Sequence, residues 1–183
     1  MRQATGLAAD HLPFGVQVEI EGLLLTPRGG GQAQLLVAGA AHVRFERLAL
    51  IGSPRYRANG AVIASTDVRF LESRFAECGE GDTPVAGFCL RLRDNIGVTV
   101  RASRFRDCHG CDFIHGVRNA RVAIRQSAFD RAVPGRCGQN VELCHHQDLI
   151  HLADGRDFVI DRNRFGLQFF GAAQVYLTGA SGA

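Results

Sequence analysis

Apolar and polar residues follow one short arrangement that recurs along the chain. Its clearest copies are residues 68–75, 98–105, 122–129 and 158–165. Each copy is eight residues long, and we call this pattern the frame. Its first and third residues are apolar, its sixth is Ser or Asn, and its eighth is Phe. Weaker copies begin at residues 18 and 43, so the copies are spaced 24 to 36 residues apart. An internal repeat of this length is typical of a stacked repeat architecture.

The frame predicts short β-strands. When one residue separates two apolar residues in a strand, the two apolar side chains lie on the same face. The step of three that follows breaks the alternation and predicts a tight bend, after which a second short strand carries the Phe inward. A third apolar stretch precedes each frame, as at residues 35–37, 90–92 and 149–151. Three short strands per repeat, without helical periodicity, predict an all-β solenoid of about six rungs.

Stacked rungs predict columns of equivalent residues. The column expected inside the solenoid is Phe75, Phe105, Phe129 and Phe165. The column expected at the bend, bonding the backbone of neighbouring rungs, is Ser73, Ser103, Ser127 and Asn163. We expect residues 1–15 to cap the N-terminal end and residues 16–166 to form the rungs. Residues 167–183 are expected to add a partial rung, or to form a tail that packs against a second copy in a homo-oligomer.

Two neighbouring segments resemble a known family pattern. Residues 146–151 followed by residues 156–165 are similar to the H-x-D-x-I-Q and I-x-x-N-x-F pattern of exported right-handed parallel β-helix proteins in the pectate-lyase-like superfamily, with His151 in place of the Gln. The resemblance implies a right-handed parallel β-helix. It also implies carbohydrate activity, which in this superfamily includes polysaccharide lyases, hydrolases and epimerases beside proteins without known chemistry.

Composition narrows the classes of protein. The 183 residues are 46% hydrophobic and 21% charged, which excludes a disordered chain, and no apolar run reaches the roughly 18 residues of a membrane span. All 21 basic residues are arginine, which excludes lysine chemistry such as a Schiff base. The net charge of +3 is small, and two Tyr and no Trp offer little base stacking, so we expect neither a nucleic acid nor a membrane partner.

Alignment of the rungs places polar residues in an outward column. Arg91, His115 and His151 are expected to be neighbours about 5 Å apart, while the residues that precede them point inward. Arginine matches the carboxylate of a uronate sugar, and one histidine would remove a proton while the other donates one. The two stacked histidines are expected to depress each other's pKa, which favours a neutral base. A solvated polar strand face is the alternative interpretation.

Other polar residues lie near this column. Asp112 and Asp148 form a candidate carboxylate pair. Their positions in the strand alternation point them inward or to the strand edge, however, where the alternative role of an Asp is to cap backbone N–H groups. The residues expected to bind substrate are Arg93, Arg118, His146 and Asp154.

The six cysteines favour an oxidising compartment, and thus a secreted, periplasmic or cell-surface protein, although the N-terminus shows no leader. The simplest pairing is one disulfide per loop: Cys78 with Cys89, Cys108 with Cys111, and Cys137 with Cys144. The alternative is a zinc site made of Cys108, Cys111, Cys137 and Cys144. Otherwise no cofactor is expected, with calcium and zinc as the open exceptions.

Arginines also recur at equivalent outward positions, namely Arg74, Arg104 and Arg164 on one strand and Arg101 and Arg125 on another. They predict a basic stripe for an acidic polysaccharide. The alternative is an arginine-rich composition whose charge is largely offset by the acidic neighbours Glu72, Asp130 and Asp161. The sequence thus predicts a carbohydrate-active β-helix, either a lyase or epimerase on a uronate polysaccharide or a non-catalytic module that binds glycan or serves as structure.

Overall fold

The computed structural model describes residues 2–4, 7–10, 18–25, 33–52, 58–79, 87–133, 148–166 and 174–179. Within these ranges all regular secondary structure is β-strand, arranged in three parallel sheets. Sheet I contains β2 (Leu7–Asp10), β5 (Leu35–Ala38), β8 (Ala58–Ile63), β11 (Gly87–Arg93), β14 (Cys111–Val117), β17 (Ile150–Ala153) and β20 (Val175–Thr178). Sheet II contains β3 (Val18–Glu21), β6 (Ala41–Glu46), β9 (Thr66–Leu71), β12 (Ile96–Arg101), β15 (Ala120–Arg125) and β18 (Arg156–Asp161). Sheet III contains β1 (Arg2–Ala4), β4 (Leu23–Leu25), β7 (Ala49–Ile51), β10 (Arg74–Gly79), β13 (Arg104–His109), β16 (Ala128–Val133) and β19 (Arg164–Phe165).

The chain passes through sheets I, II and III in turn, which makes each triplet of strands one rung. Six rungs are complete, and β1 and β20 form partial rungs at the two ends. The prediction of a parallel β-helix with about six rungs is therefore confirmed. Strands β1 and β2 fall in the segment expected to be the N-terminal cap, and both pair in register with the next rung. At the other end β20 pairs with β17.

The core is built from columns of apolar side chains. Phe75, Phe105, Phe129 and Phe165 are register partners, and their ring centroids are 4.5, 4.9 and 5.4 Å apart in that order. A second column begins at Val18 and runs through the first apolar residue of every frame. Burial of these columns supplies the main driving force for folding.

Two polar ladders hold the bends between sheets. At the bend before sheet III, Ser73 N–H donates to Ser103 Oγ, and Ser103 N–H donates to Ser127 Oγ, as predicted. At the bend before sheet II, a ladder that the sequence analysis does not include contains Asn95 and Asn119. Asn95 donates from both its backbone and its side-chain amide to Asn119 Oδ1. Each ladder satisfies backbone groups that the tight bend leaves without a strand partner.

At each described corner between sheets I and II, one residue has a left-handed conformation. Asp94, Arg118 and Asp154 have φ values of 57°, 54° and 50°. Such values are unfavourable for residues with a Cβ, by roughly 1–2 kcal/mol each. The backbone N–H of each residue bonds the carbonyl of the next rung, which holds the corner in place.

Two disulfides join the end of a sheet III strand to the start of the next sheet I strand. Cys78 pairs with Cys89, and Cys108 pairs with Cys111, as the local pairing predicts. The third predicted pair, Cys137 with Cys144, lies outside the described residues. No helix long and apolar enough to cross a membrane occurs in the described part of the chain.

Candidate active site

The outer face of sheet I carries the predicted column of polar side chains. Arg91 is the register partner of His115, and His115 is the register partner of His151. The column continues to Tyr176 on β20, which is 46% exposed. The imidazoles of His115 and His151 are half-buried, with 21% and 22% of their side-chain surfaces exposed. The column therefore offers ionisable groups that are partly shielded from water and still accessible from outside.

A kink in β14 brings Asp112 to the same side as His115. Phe113 and Ile114 are both fully buried, so the usual alternation fails there and residues three apart share a face. Asp112 Oδ2 lies 2.8 Å from His115 Nδ1. Asp112 Oδ1 accepts the backbone N–H of Asp148 at 2.9 Å. The Asp112 carboxylate therefore contacts the imidazole of His115 and also caps the backbone of the next rung.

His151 lies between two carboxylates. Its Nδ1 is 3.6 Å from Asp148 Oδ2 and 3.8 Å from Asp112 Oδ2. Its ring centroid is 4.8 Å from that of His115 and 5.0 Å from that of Tyr176, edge to face in both cases. Both distances exceed a good hydrogen-bond length, so the two carboxylates act on His151 chiefly through electrostatic attraction.

The charges of this cluster are coupled. Burial alone would raise the pKa of Asp112, but the contacts with His115 and His151 and the bond from Asp148 N–H outweigh it, and the pKa is lowered. The nearby Asp112 carboxylate raises the pKa of His151 against the effect of burial, with Asp148 adding to the rise. The expectation that the two histidines depress each other's pKa is therefore wrong for His151. The carboxylates beside it outweigh repulsion by a neighbouring imidazole.

The ionised Asp112 determines which nitrogen of His115 carries a proton. A carboxylate with a lowered pKa is negatively charged at neutral pH and can only accept hydrogen bonds. The 2.8 Å contact therefore requires a hydrogen on His115 Nδ1, which leaves the lone pair of neutral His115 on Nε2. A histidine oriented by a buried carboxylate in this way is arranged to accept a proton.

Arg91 lies beside the pair formed by His115 and Asp112. Its guanidinium carbon is 5.8 Å from the ring centroid of Phe88, and the Phe88 ring is 4.5 Å from that of His115. Arg91 has no ion pair among the described residues, so its charge is free to meet an anion. Phe88 and Tyr176 are neighbours of the site that the sequence analysis does not identify. Phe88 is the register partner of Asp112 and carries no chemistry of its own, and Tyr176 follows a long insertion that hides its register.

A shallow groove of about 550 Å³ lies beside the column, at the corner between sheets I and II. It is lined by Asp94, Arg118 and Asp154, among others, about 10 Å along the strand from the histidines. Arg118 makes two hydrogen bonds to Asp94, at 2.7 and 2.9 Å, which lowers the pKa of Asp94. Arg93 is exposed and bonds Asp94 at 3.2 Å. Of the residues expected to bind substrate, the groove thus holds Arg118 and Asp154, while His146 lies outside the described residues.

Among the described residues, two clusters have the donors for a metal ion. The ligand atoms of Asp112, His115 and His151 lie within 4.8 Å of one another, which is compatible with a divalent cation. The sulfurs of Cys89, Cys108 and Cys111 are equally close, but they belong to the two disulfides. The zinc set proposed from sequence is not assembled among the described residues, because Cys108 and Cys111 bond each other and their nearest described sulfur neighbour is Cys89.

Comparison of the chain with models of known protein families and with curated proteins finds no match.

Proposed function

We propose that the protein is an acid–base enzyme of the lyase or epimerase type that acts on a uronate-containing polysaccharide, as a member of the pectate-lyase-like superfamily. The observation that carries this proposal is the hydrogen bond from His115 to the buried Asp112, set between Arg91 and His151 on the outer face of the β-helix. A merely solvated strand face has no need for a buried carboxylate that orients an imidazole.

The first step assigned to the site is removal of the proton next to the sugar carboxylate. In this step His115 Nε2 accepts the proton, and Asp112 stabilises the imidazolium that forms. Arg91 binds the carboxylate of the same sugar and offsets the negative charge that develops there. The half-buried position of His115 strengthens these electrostatic effects, because the partners lie in a medium of lower dielectric than water.

The second step needs an acid, and we assign it to His151. The raised pKa of His151 keeps it protonated at higher pH than a free imidazole. In a lyase the electron pair of the broken C–H bond forms a C=C bond, the neighbouring glycosidic C–O bond breaks, and His151 gives its proton to the leaving oxygen. In an epimerase His151 returns a proton to the same carbon from the opposite face, and no bond to oxygen breaks.

The direct test is incubation with pectate, alginate and glycosaminoglycans. A lyase produces an unsaturated sugar that absorbs in the ultraviolet, and an epimerase incorporates deuterium at the carbon from heavy water without cleavage. We expect His115→Ala and His151→Ala to abolish either signal, and Arg121→Ala, an exposed arginine on β15, to retain it. Absence of both signals with every polyanion tested would contradict the proposal that the protein is an enzyme of this type.

The second candidate is a non-catalytic module that binds glycan. It is favoured by the second contact of Asp112, which caps the Asp148 backbone and gives the carboxylate a structural purpose without any reaction. Under this function the polyanions bind without turnover. Retention of full affinity in the His115→Ala protein, together with no turnover in the wild type, would select this candidate.

We also propose a secreted or periplasmic location, which the two disulfides support. Protein purified without reductant and then denatured should show no thiol that reacts at Cys78, Cys89, Cys108 or Cys111. Free thiols at these positions would place the protein in a reducing compartment.

A further inference from the structure

One edge of the β-helix carries arginines that have no ion pair among the described residues. The edge runs between sheets II and III and contains five such arginines, and we call it the arginine edge. Arg101 and Arg125 end strands β12 and β15, and Arg74, Arg104 and Arg164 begin strands β10, β13 and β19. All five are exposed. None of them lies on a strand of sheet I, so this edge is separate from the candidate active site.

An arginine-rich composition does not explain this distribution. Most arginines of the described residues lie within ion-pair distance of a carboxylate: Arg44, Arg47, Arg69, Arg93, Arg106, Arg118, Arg131, Arg156 and Arg162. Of the arginines whose side chains the structure describes and that lack such a pair, only Arg91 and Arg121 lie outside the arginine edge. Arginines without partners are therefore concentrated at this edge.

The same edge is neutralised in the first rungs. There Arg47 pairs with Glu21 and Glu46. Farther along the edge the acidic residues are Glu72 and Asp161. Asp161 is the register partner of Arg125, but its ion pair is with Arg162, at 3.0 Å. Rungs three to six thus keep an excess of positive charge that rungs one and two do not have.

The arginines of the edge are also stacked. Arg101 and Arg125 are register partners, and so are Arg74 and Arg104, which places each pair on adjacent rungs about 4.8 Å apart. Like charges at directly opposite positions of a sheet repel each other and destabilise the pairing. A linear anion lying along the axis would relieve this repulsion, because one ligand could contact several rungs.

We propose that the arginine edge is a binding site for an acidic polysaccharide that lies along the axis of the β-helix. Carboxylate groups suit it because guanidinium binds them with two parallel hydrogen bonds. The corner residues between the arginines are Glu72, Ala102 and Gln126, and none offers an aromatic ring on which the bases of a single-stranded nucleic acid could stack. The choice of a polysaccharide as ligand rests on the proposed function, but the edge shares no residue with the acid–base site.

The test compares two double variants of equal charge. Arg101→Gln/Arg125→Gln removes two arginines of the edge, and Arg69→Gln/Arg131→Gln removes two arginines that lie off this edge and are paired with carboxylates. Binding to polygalacturonate is measured by calorimetry in the His115→Ala background, so that turnover does not interfere. We expect the edge variant to bind about tenfold more weakly, through loss of two charge contacts, and to show a smaller dependence on salt. The control variant should bind like its parent.

Each outcome of this experiment is decisive for the edge. Equal loss of affinity in both double variants would show that net charge alone attracts the polymer, and it would overturn the proposal. Absence of binding in the parent, or tighter binding of a single-stranded oligonucleotide than of the polysaccharide at the same salt concentration, would overturn it too. Catalysis by wild-type protein is assayed separately. An edge that fails this test therefore leaves the acid–base proposal standing, and inactivity of the wild type leaves the binding result intact.

Discussion

At the scale of single residues, the candidate site depends on the charge of Asp112. Its side chain is 6% exposed, and it receives hydrogen bonds from His115 and from the Asp148 backbone. Asp112→Asn preserves the shape and can still accept the Asp148 N–H, but it no longer holds the proton on His115 Nδ1 or stabilises an imidazolium. We expect turnover to fall about 10²–10⁴-fold with the fold retained by circular dichroism. Asp157→Asn, at an exposed carboxylate of β18, is the control; similar losses in both variants would contradict the role of Asp112.

The raised pKa of His151 makes the stability of the fold depend on pH. The folded state binds the proton more tightly than the unfolded chain, whose ordinary pKa is 6.5. The resulting stabilisation is fully present below that value and is lost as pH rises through the higher pKa of the folded state. We expect the free energy of unfolding in urea to decrease as pH rises above 6.5, and to decrease less in His151→Gln. Parallel curves for the two proteins would rule out this contribution.

Asp112 gives the opposite dependence in acid. Its pKa in the folded state lies below the ordinary value of 3.8, so its contribution is present above that value and is lost as pH falls through the lower folded pKa. The two residues together should place maximal stability between these limits, on the acidic side of neutrality.

At the scale of elements, the bends depend on the two polar ladders, and the Asn119 side chain makes more hydrogen bonds than that of Asn95 in the ladder before sheet II. Asn119 accepts two hydrogen bonds from Asn95 and donates to the carbonyls of Leu92 and Val117, while its side chain is buried. Asn119→Ala leaves buried donors and acceptors without partners, so we expect a loss of about 2–4 kcal/mol in urea denaturation. Ser103→Ala, which removes one accepted and one donated bond, should cost about 1–2 kcal/mol. A reversed order would refute this account of the bends.

The strands and columns were predictable because inward positions repeat with the period of the rung. Phe105 and Phe129 could be aligned from the sequence since the frame before each of them has constant length. The ladder of Asn95 and Asn119 lies three residues before the frame, outside the repeat from which the columns are predicted. The contact of Asp112 with His115 could not be predicted by alternation, because two consecutive buried residues, Phe113 and Ile114, reverse the face of the strand.

At the scale of the whole molecule, the described strands of a rung make most of their contacts with the adjacent rungs, so position along the axis decides how much a residue contributes. Phe105 is fully buried and stacks on Phe75 and Phe129, whereas Phe165 is partly exposed and stacks on Phe129 at the end of its column. We expect Phe105→Ala to cost about 3–5 kcal/mol in urea denaturation, because it leaves a cavity between two rungs. Phe165→Ala should cost less and should act on the last rung alone, because stability in a solenoid is close to a sum of nearest-neighbour terms. Hydrogen exchange separates the two cases: protection should fall throughout the chain in the first variant, and only in β17, β18 and β19 in the second. Global loss of protection in Phe165→Ala would mean that the six rungs unfold as one unit and that the nearest-neighbour description fails for this protein.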